Sequence, residues 1–538
     1  MKRNEKRRID WLSIVITIIA STLVFTLTNY LFIPCIGWSF GFLFTIAISL
    51  LIGALVTGAI NLARDEFGHN HARVHNTSAY IAAILAAVLL IATLVSWVVS
   101  WRMFHVDDIK NRLDMTTITQ EELVEMLPDV DEDGAYSWAD SATARKLAAR
   151  KTGELTELIS IFTVSGTCHT SIVDGDLIKY VPMEYAGLMK AMQTDSIPGY
   201  VSVNPVKQNA EYVEHAIRYS PSAFFANDLM RHARRNFPHE YFGRYTFQVS
   251  PEGNPTWVLE LERTCNSWTV REVYAVALID AETGVCTKYI LDEAPEWVSC
   301  IHGDTAQEIY NGYGRMINGF WNLSGVGTTA TTNDFGYVAI DGEMYYTTGV
   351  TSAVNDGGDE SNLGILLYNA HTNKAYYCQV AGAEEYSAME AAEGAVQNFG
   401  YEAAFPSLTN VNDELTYVMV LKDSNGIVKQ YGMVNYNNYT VVVTADTLGA
   451  CRIAYNKAMS KSGVVVDDAV MSDTITITVD AIEYIVQGGE TTVYLRDIEN
   501  NVYKADFSES FLFVKAEDVV TLYILDNTAN IAVVAPMQ

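Results

Sequence analysis

WLSIVITIIASTLVFTLTNYLFI, residues 11–33, carries no charged side chain. Two stretches of the same kind follow it: IGWSFGFLFTIAISLLIGALVTGAINLA (36–63) and NTSAYIAAILAAVLLIATLVSWVVSW (76–101). Each exceeds the roughly 20 residues that a helix rising about 1.5 Å per residue needs to cross a hydrocarbon layer of about 30 Å. A buried helix of a soluble core would show a polar stripe every 3.6 residues or so; these stretches show none. Trp11, Tyr30, Trp38, Trp97 and Trp101 fall near their ends, where amphipathic rings favour the membrane–water boundary. Residues 1–104 are therefore predicted to form a membrane anchor of three transmembrane helices.

Charge sets the expected orientation. Lys2, Arg3, Lys6, Arg7 and Arg8 precede the first span, and Arg64 and Arg73 lie in the loop on the same side. The opposite side has only Arg102, Lys110 and Arg112, offset by Asp107, Asp108 and Asp114. The positive-inside rule then places the N-terminus in the cytoplasm and residues 105–538 outside it. A cleavable signal peptide competes for the first span, but two further spans follow closely and the small-residue cleavage pattern is unconvincing, so it is read as an anchor. No Asp, Glu, Lys, Arg or His interrupts the spans, whereas ion and proton pathways usually require such groups. Gly53, Ala54, Gly58 and Ala59 give the second helix a small-residue face able to pack closely on a neighbour.

The remainder has a different composition. The whole chain of 538 residues carries a net charge of −29 and is 49% apolar, enough to bury large cores. Residues 1–104 hold 8 Lys+Arg against 4 Asp+Glu, which leaves 27 against 60 in residues 105–538. So acidic a body argues against a nucleic-acid partner, because phosphate binding needs a basic surface. Its fold class is α+β. Thr119 with Glu122 forms a capping box ahead of a helix at Glu121–Leu127, and alanine-rich Ala142–Arg150 predicts a second helix. β-rich runs then turn back on themselves at Tyr200–Val213, Ala277–Leu291, Ile365–Val380 and Tyr417–Val434, with Asp, Asn or Gly at the turns. Helical segments at Phe224–Asn236, Ala306–Ile317 and Tyr386–Asn398 precede three of these hairpins. Tandem helix-plus-antiparallel-sheet modules follow from that pattern. The expected divisions are a helical linker with an acidic loop (105–160), a first α+β region (161–300), a second (301–470) and a small β-barrel (471–538).

The barrel rests on short strand-like runs at Ile475–Val486, Thr491–Asp497, Val502–Ala505, Phe511–Val514, Val519–Asp526 and Ile531–Ala535. Closure would remove their exposed edges, in an OB-like or SH3-like form.

A helix followed by strands, closing on VYAVALIDAETGVCTKY (Val273–Tyr289), resembles the PepSY-type module of bacterial envelope proteins, around 224–291 and again at 386–446. LDEAPEWV (Leu291–Val298) with GAEEYSAMEAAEGAVQNFGY (Gly382–Tyr401) is similar to uncharacterised multi-pass membrane proteins of clostridial-type bacteria. The first resemblance implies inhibition or regulation of envelope proteases; neither implies an active site.

The sharpest chemical motif is the loop Asp129, Asp131, Asp133, Gly134, Ser137 and Asp140. Oxygen donors at positions 1, 3, 5, 9 and 12, with Gly at 6, are what a flexible Ca²⁺ site requires, and the spacing resembles dockerin-type and EF-hand loops. The same residues also fit an acidic turn with Asp140 or Ser141 as N-cap of the following helix. His69, His71 and His75 form a dense group open to a transition metal or to a plain polar loop. Arg231, Arg234 and Arg235, with His239 and Arg244, are the one basic concentration in the acidic body, fit for carboxylate pairing or for an anionic envelope polymer. Cys168, Cys265, Cys286, Cys300, Cys378 and Cys451 permit three disulfides or six buried thiols. Cys168–His169 is no catalytic pair, since neighbouring strand residues face opposite ways. No GxSxG, HExxH, Walker loop or dinucleotide glycine signature occurs, so catalysis is the lesser reading.

The expected function is that of a membrane-anchored extracytoplasmic binding, regulatory or scaffold protein of a bacterial cell envelope, its partner another envelope protein or a polymer. The alternatives are an envelope-polymer hydrolase, which needs a cleft with two convergent carboxylates, and an accessory or sensor subunit of a membrane complex. No cofactor is established by these motifs; Ca²⁺ is the one that the acidic loop admits.

Overall fold

A computed structural model describes residues 11–67, 77–130, 136–138, 140–155, 160–173, 175–206, 208–354, 361–461, 474–487, 490–506, 511, 513–526 and 532–536. Three helices, α1 (Trp11–Phe32), α2 (Phe40–Phe67) and α3 (Thr77–Val99), are long and apolar enough to cross a membrane. Lipid offers them no hydrophobic drive to associate, so close packing and interhelical hydrogen bonds hold them together. Ser13 Oγ donates to Asn61 Oδ1 at 3.1 Å, the Thr17 and Thr57 hydroxyls meet at 2.8 Å, and Thr17 reaches Ser78 at 3.4 Å. A Cβ added at Gly53 would collide with Ser21 of α1, while Ala54 packs with Ala79 and Ala82 of α3. Half of the small-residue face is therefore covered from within the chain; Gly58 meets nothing.

The extramembrane body sits directly on the helix ends. The Ile36 amide donates to the Pro238 carbonyl at 2.8 Å, and the Ser267 hydroxyl to the Ser100 carbonyl at 2.9 Å. Segments 33–39 and 100–104 therefore emerge at one end of the three-helix anchor, as an odd number of crossings requires.

Four larger sheets, a two-stranded pair (Ser361–Asn362 with Gly382–Ala383) and a barrel make up the body among the described residues. A five-stranded antiparallel sheet (Phe162–Val164, His169–Val173, Asp176–Tyr185, Ile197–Asn204 and Asn209–Ile217) carries the helix Ser141–Gly153 on one face, where Ala144 and Ala148 pack on Val181, Val201 and Val203. Its other residues share a core with a four-stranded meander (Tyr241–Val249, Pro255–Thr264, Arg271–Asp280, Cys286–Ile290) that follows the helix Leu229–Asn236. Tyr180, Tyr200, Phe247 and Trp257 fill that core edge to face, each ring contributing on the order of 1.5–3 kcal/mol by burial. A six-stranded sheet centred on Glu343–Ser352 and Gly364–Asn369 packs against the helix Gly303–Met316. A last five-stranded sheet centred on Glu414–Lys422 and Val428–Asn435 carries the helices Glu385–Ala395 and Leu448–Lys461.

All four expected hairpins are antiparallel pairs, and the Thr119–Glu122 capping box is formed. The segment 105–160 holds more than helices. Asp114–Ile118 is a strand that pairs in parallel with Lys374–Cys378, far along the chain. At the C-terminus, Thr474–Gln487, Glu490–Asp497, Val502–Asp506, Ala532–Pro536 and Val519–Asp526 close a barrel in that order. The parallel pairing of Val502–Asp506 with Ala532–Pro536 matches the OB-like Greek-key alternative. Phe511 belongs to none of these strands; its buried ring plugs the barrel core, and its carbonyl accepts from the Tyr484 hydroxyl at 2.6 Å.

Candidate functional site

A cavity of about 420 Å³ opens where three of the sheets meet, and it gathers charged side chains from four segments. The strand Asp176–Tyr185 brings Lys179, the N-terminal end of Ser141–Gly153 brings Asp140 and Arg145, and the helix Gly303–Met316 brings Asp304. Asp334 and Tyr337 come from the turn and strand around Gly336, while Tyr386 and Phe405 add aromatic wall.

Lys179 is the unusual member. It is 1% exposed, its ammonium donates to the Thr170 hydroxyl at 3.0 Å and stands 4.6 Å over the Tyr337 ring, and no carboxylate lies within ion-pairing distance among the described residues. Burial depresses its pKa, opposed by the Cys168 and Asp140 charges. An ammonium so placed is a strong point charge with little competing solvent, the condition under which lysines bind anions or react. Period two puts Lys179 on the face of Leu177, Val181 and Met183. That pattern is the sequence signal that could have found it.

Asp140 has both carboxylate oxygens engaged. It caps the following helix by accepting from the Thr143 amide at 2.7 Å, and its other oxygen takes the Lys422 ammonium. Burial pushes its pKa up, but those bonds outweigh it and hold the group ionised below its ordinary value. Asp304 is ion-paired with Arg244 at 3.4 Å. Asp334, on the rim, accepts from the Phe335 amide, and surrounding protein with the Asp140 and Asp304 charges raises its pKa. The cavity thus sets a buried cation opposite a rim of carboxylates, between aromatic walls.

The sequence-derived candidates separate. Of the calcium loop, Asp131 and Asp133 lie outside the described residues. Asp129 faces Arg452 at 3.6 Å, Ser137 lines the cavity, and Asp140 serves as the helix cap. Among the described residues no group of three or more His, Cys, Asp or Glu converges on a metal position. His69, His71 and His75 also lie outside the described residues. Arg244 pairs with Asp304 and Glu308, whereas Arg231 lies over the Tyr30 ring of α1 and Arg234 over the Phe242 ring of the meander. The cysteines are thiols without disulfides, and burial lifts Cys286 and Cys378 to about 11. His169 is buried against Trp257, and desolvation with the His302 charge lowers it to about 3, so it stays neutral.

Two buried carboxylates escaped the sequence reading. Glu260 accepts from the His302 and Arg244 amides, both at 2.8 Å, and from the Thr305 hydroxyl at 3.0 Å, which ties the meander to the helix Gly303–Met316. Glu385 accepts from the Gly349 amide and from Asn362. Burial lifts each to about 7 despite those bonds. They join helices to sheets rather than face the cavity. No protein-family model and no curated protein matches this chain.

Proposed function

We propose that this membrane protein is an extracytoplasmic binding protein of a bacterial envelope that recognises a small polar ligand by its anionic group, held over Lys179. The observation that carries this is a fully buried ammonium at a cavity wall with no carboxylate partner among the described residues. A carboxylate-bearing fragment of an envelope polymer or of a peptide suits it: the anion meets Lys179 and Arg145, and amide or amino groups meet Asp334. The PepSY-type resemblance gives such binding a regulatory output on a neighbouring envelope protein. The outward placement of residues 105–538 is supported by the excess of Lys and Arg at the far ends of the helices. Titration of the full-length protein in detergent with N-acetylmuramic acid and alanyl dipeptides tests the binding. Saturable thermal protection in the wild type, lost in Lys179→Met, is expected; equal protection in both refutes it. Digestion of the body by protease added to whole cells tests the placement.

The hydrolase reading has one observation in its favour, the ionised Asp140 and raised Asp334 on a single cavity. Asp140 is spent on its cap and ion pair, which weakens it as nucleophile or base. Cleavage of cell-wall glycan that Asp334→Asn abolishes would establish it. Calcium at 129–140 is a separate proposal: titration of the wild type should show binding that Asp131→Ala with Asp133→Ala removes.

A further inference from the structure

A second cavity, of about 560 Å³, lies at the junction between the membrane helices and the body. Its apolar wall is made at the helix ends by Phe32, Ile33, Phe40 and Trp97, and from the body by Phe242 and Trp268. Phe40 and Trp268 meet edge to face across the junction at 5.9 Å. Its polar wall carries Arg234 and Arg271 with the Thr269 and Ser39 side chains.

The two arginines differ. Arg271 is neutralised by Glu262 at 2.8 Å. Arg234 has no carboxylate within ion-pairing distance among the described residues; one terminal nitrogen donates to the Phe237, Pro238 and Glu240 carbonyls, at 3.0, 3.3 and 2.6 Å. The guanidinium carbon lies 3.8 Å from the Phe242 ring centre, and the buried Nε has no hydrogen-bond partner. Carbonyl anchoring fixes the orientation of the fork and leaves its formal charge uncompensated. With one terminal nitrogen spent on carbonyls, the charge and the other terminal nitrogen remain for a phosphate oxygen. One turn earlier, Arg231 lies 4.5 Å over the Tyr30 ring near the end of α1, so this helix face is turned to the membrane boundary.

We infer that this cavity holds the headgroup of a phosphate-bearing membrane lipid, with the phosphodiester on Arg234 and the glycerol and upper acyl chains against Phe32, Phe40, Trp97 and Trp268. Three features on the molecule favour a lipid over a soluble phosphate. The cavity lies at the ends of the spans, more than half of its wall is apolar or aromatic, and a single uncompensated cation matches the single charge of a phosphodiester. The surrounding body is strongly acidic, so free polyanions are repelled while a lipid already in the bilayer plane needs no approach through solution. The inference depends on the membrane spans and not on the ligand assigned to the Lys179 cavity.

Full-length protein placed in nanodiscs of phosphatidylcholine, with and without 20 mol% phosphatidylglycerol brominated near the headgroup, gives the test. Trp268 fluorescence, isolated as the difference between wild type and Trp268→Phe, should be quenched at least two-fold more by the brominated phosphatidylglycerol than by equally brominated phosphatidylcholine at the same fraction. Native mass spectrometry should show retained phosphatidylglycerol falling about five-fold or more in Arg234→Gln and recovering partly in Arg234→Lys. Equal quenching by the two lipids overturns the inference in the wild type itself, whatever the fate of the variants. Glycerol phosphate or inorganic phosphate at millimolar concentration abolishing the difference would also overturn it, by assigning the cavity to a soluble anion.

Discussion

The two cavities place positive charge in opposite ways. Over the strand Asp176–Tyr185, the ammonium of Lys179 is buried with one hydroxyl and one ring for company, and carboxylates stand only at the rim. At the membrane junction, the Arg234 guanidinium is fixed by three backbone carbonyls beside aromatic rings. A lysine in the first position loses much of its solvation, so its pKa falls and its charge depends on what enters the cavity. An arginine in the second keeps its charge under any ordinary condition. The charge of the first site therefore responds to an occupant, and that of the second is constant.

The comparison breaks first at the rim. Asp140→Ala removes a helix cap and strands the nearly buried Lys422, so a loss of about 3–5 kcal/mol is expected from the stranded charge and its lost partner. Chemical denaturation of the full chain checks it, and a loss below about 1 kcal/mol would mean that water solvates Lys422.

Acidity sharpens the contrast between charge at the cavities and charge inside the joints. Glu260 and Glu385 have native pKa values of about 7, above the ordinary 4.5. The native state then binds more protons than the unfolded state between those values, so stability rises as pH falls from about 8, most of it between about 7 and 4.5. Each group contributes up to about 3 kcal/mol across its whole window. His169 acts the other way: held neutral at about 3, it removes stability as pH drops from 6.5 toward 3. Melting temperature against pH should show a maximum on the mildly acidic side. In Glu260→Gln the rise between pH 8 and 6.5 should shrink by about half.

A smaller effect has the opposite sign. Lys179→Met removes an unpaired buried charge, and a gain of about 1–2 kcal/mol with loss of ligand protection is expected. Destabilisation by that variant would make Lys179 a structural residue. The smallest effect lies inside the bilayer. Thr57→Val deletes the hydroxyl that meets Thr17, at a cost of about 0.6 kcal/mol, measured by steric trapping in nanodiscs.

Much of the fold was legible because its causes are local. Turn residues at Asp280–Gly284 and Asp423–Gly426 specify hairpins that form as expected, with Gly284 and Gly426 at positive φ of 75° and 76°. Phe511 shows where legibility stops. Its apolar neighbourhood suits a strand, yet it fills the barrel centre from a connecting segment, a choice that only the finished barrel can impose. The candidate site was less legible than the fold. The alternation around Lys179 placed a lysine on an apolar face, but nothing local marked it as unpaired.

By itself the sequence determined that three helices can cross a bilayer, which side carries the basic flank, and where chains reverse, since each depends on neighbours within about twenty residues. Only tertiary structure decided that Asp140 meets Lys422, that Asp114–Ile118 joins a strand beyond residue 370, and that Arg234 lies among aromatic rings at the membrane junction. Those contacts join residues far apart in the chain. Their partners are selected by how whole sheets and helices pack, and no short window of sequence contains that information.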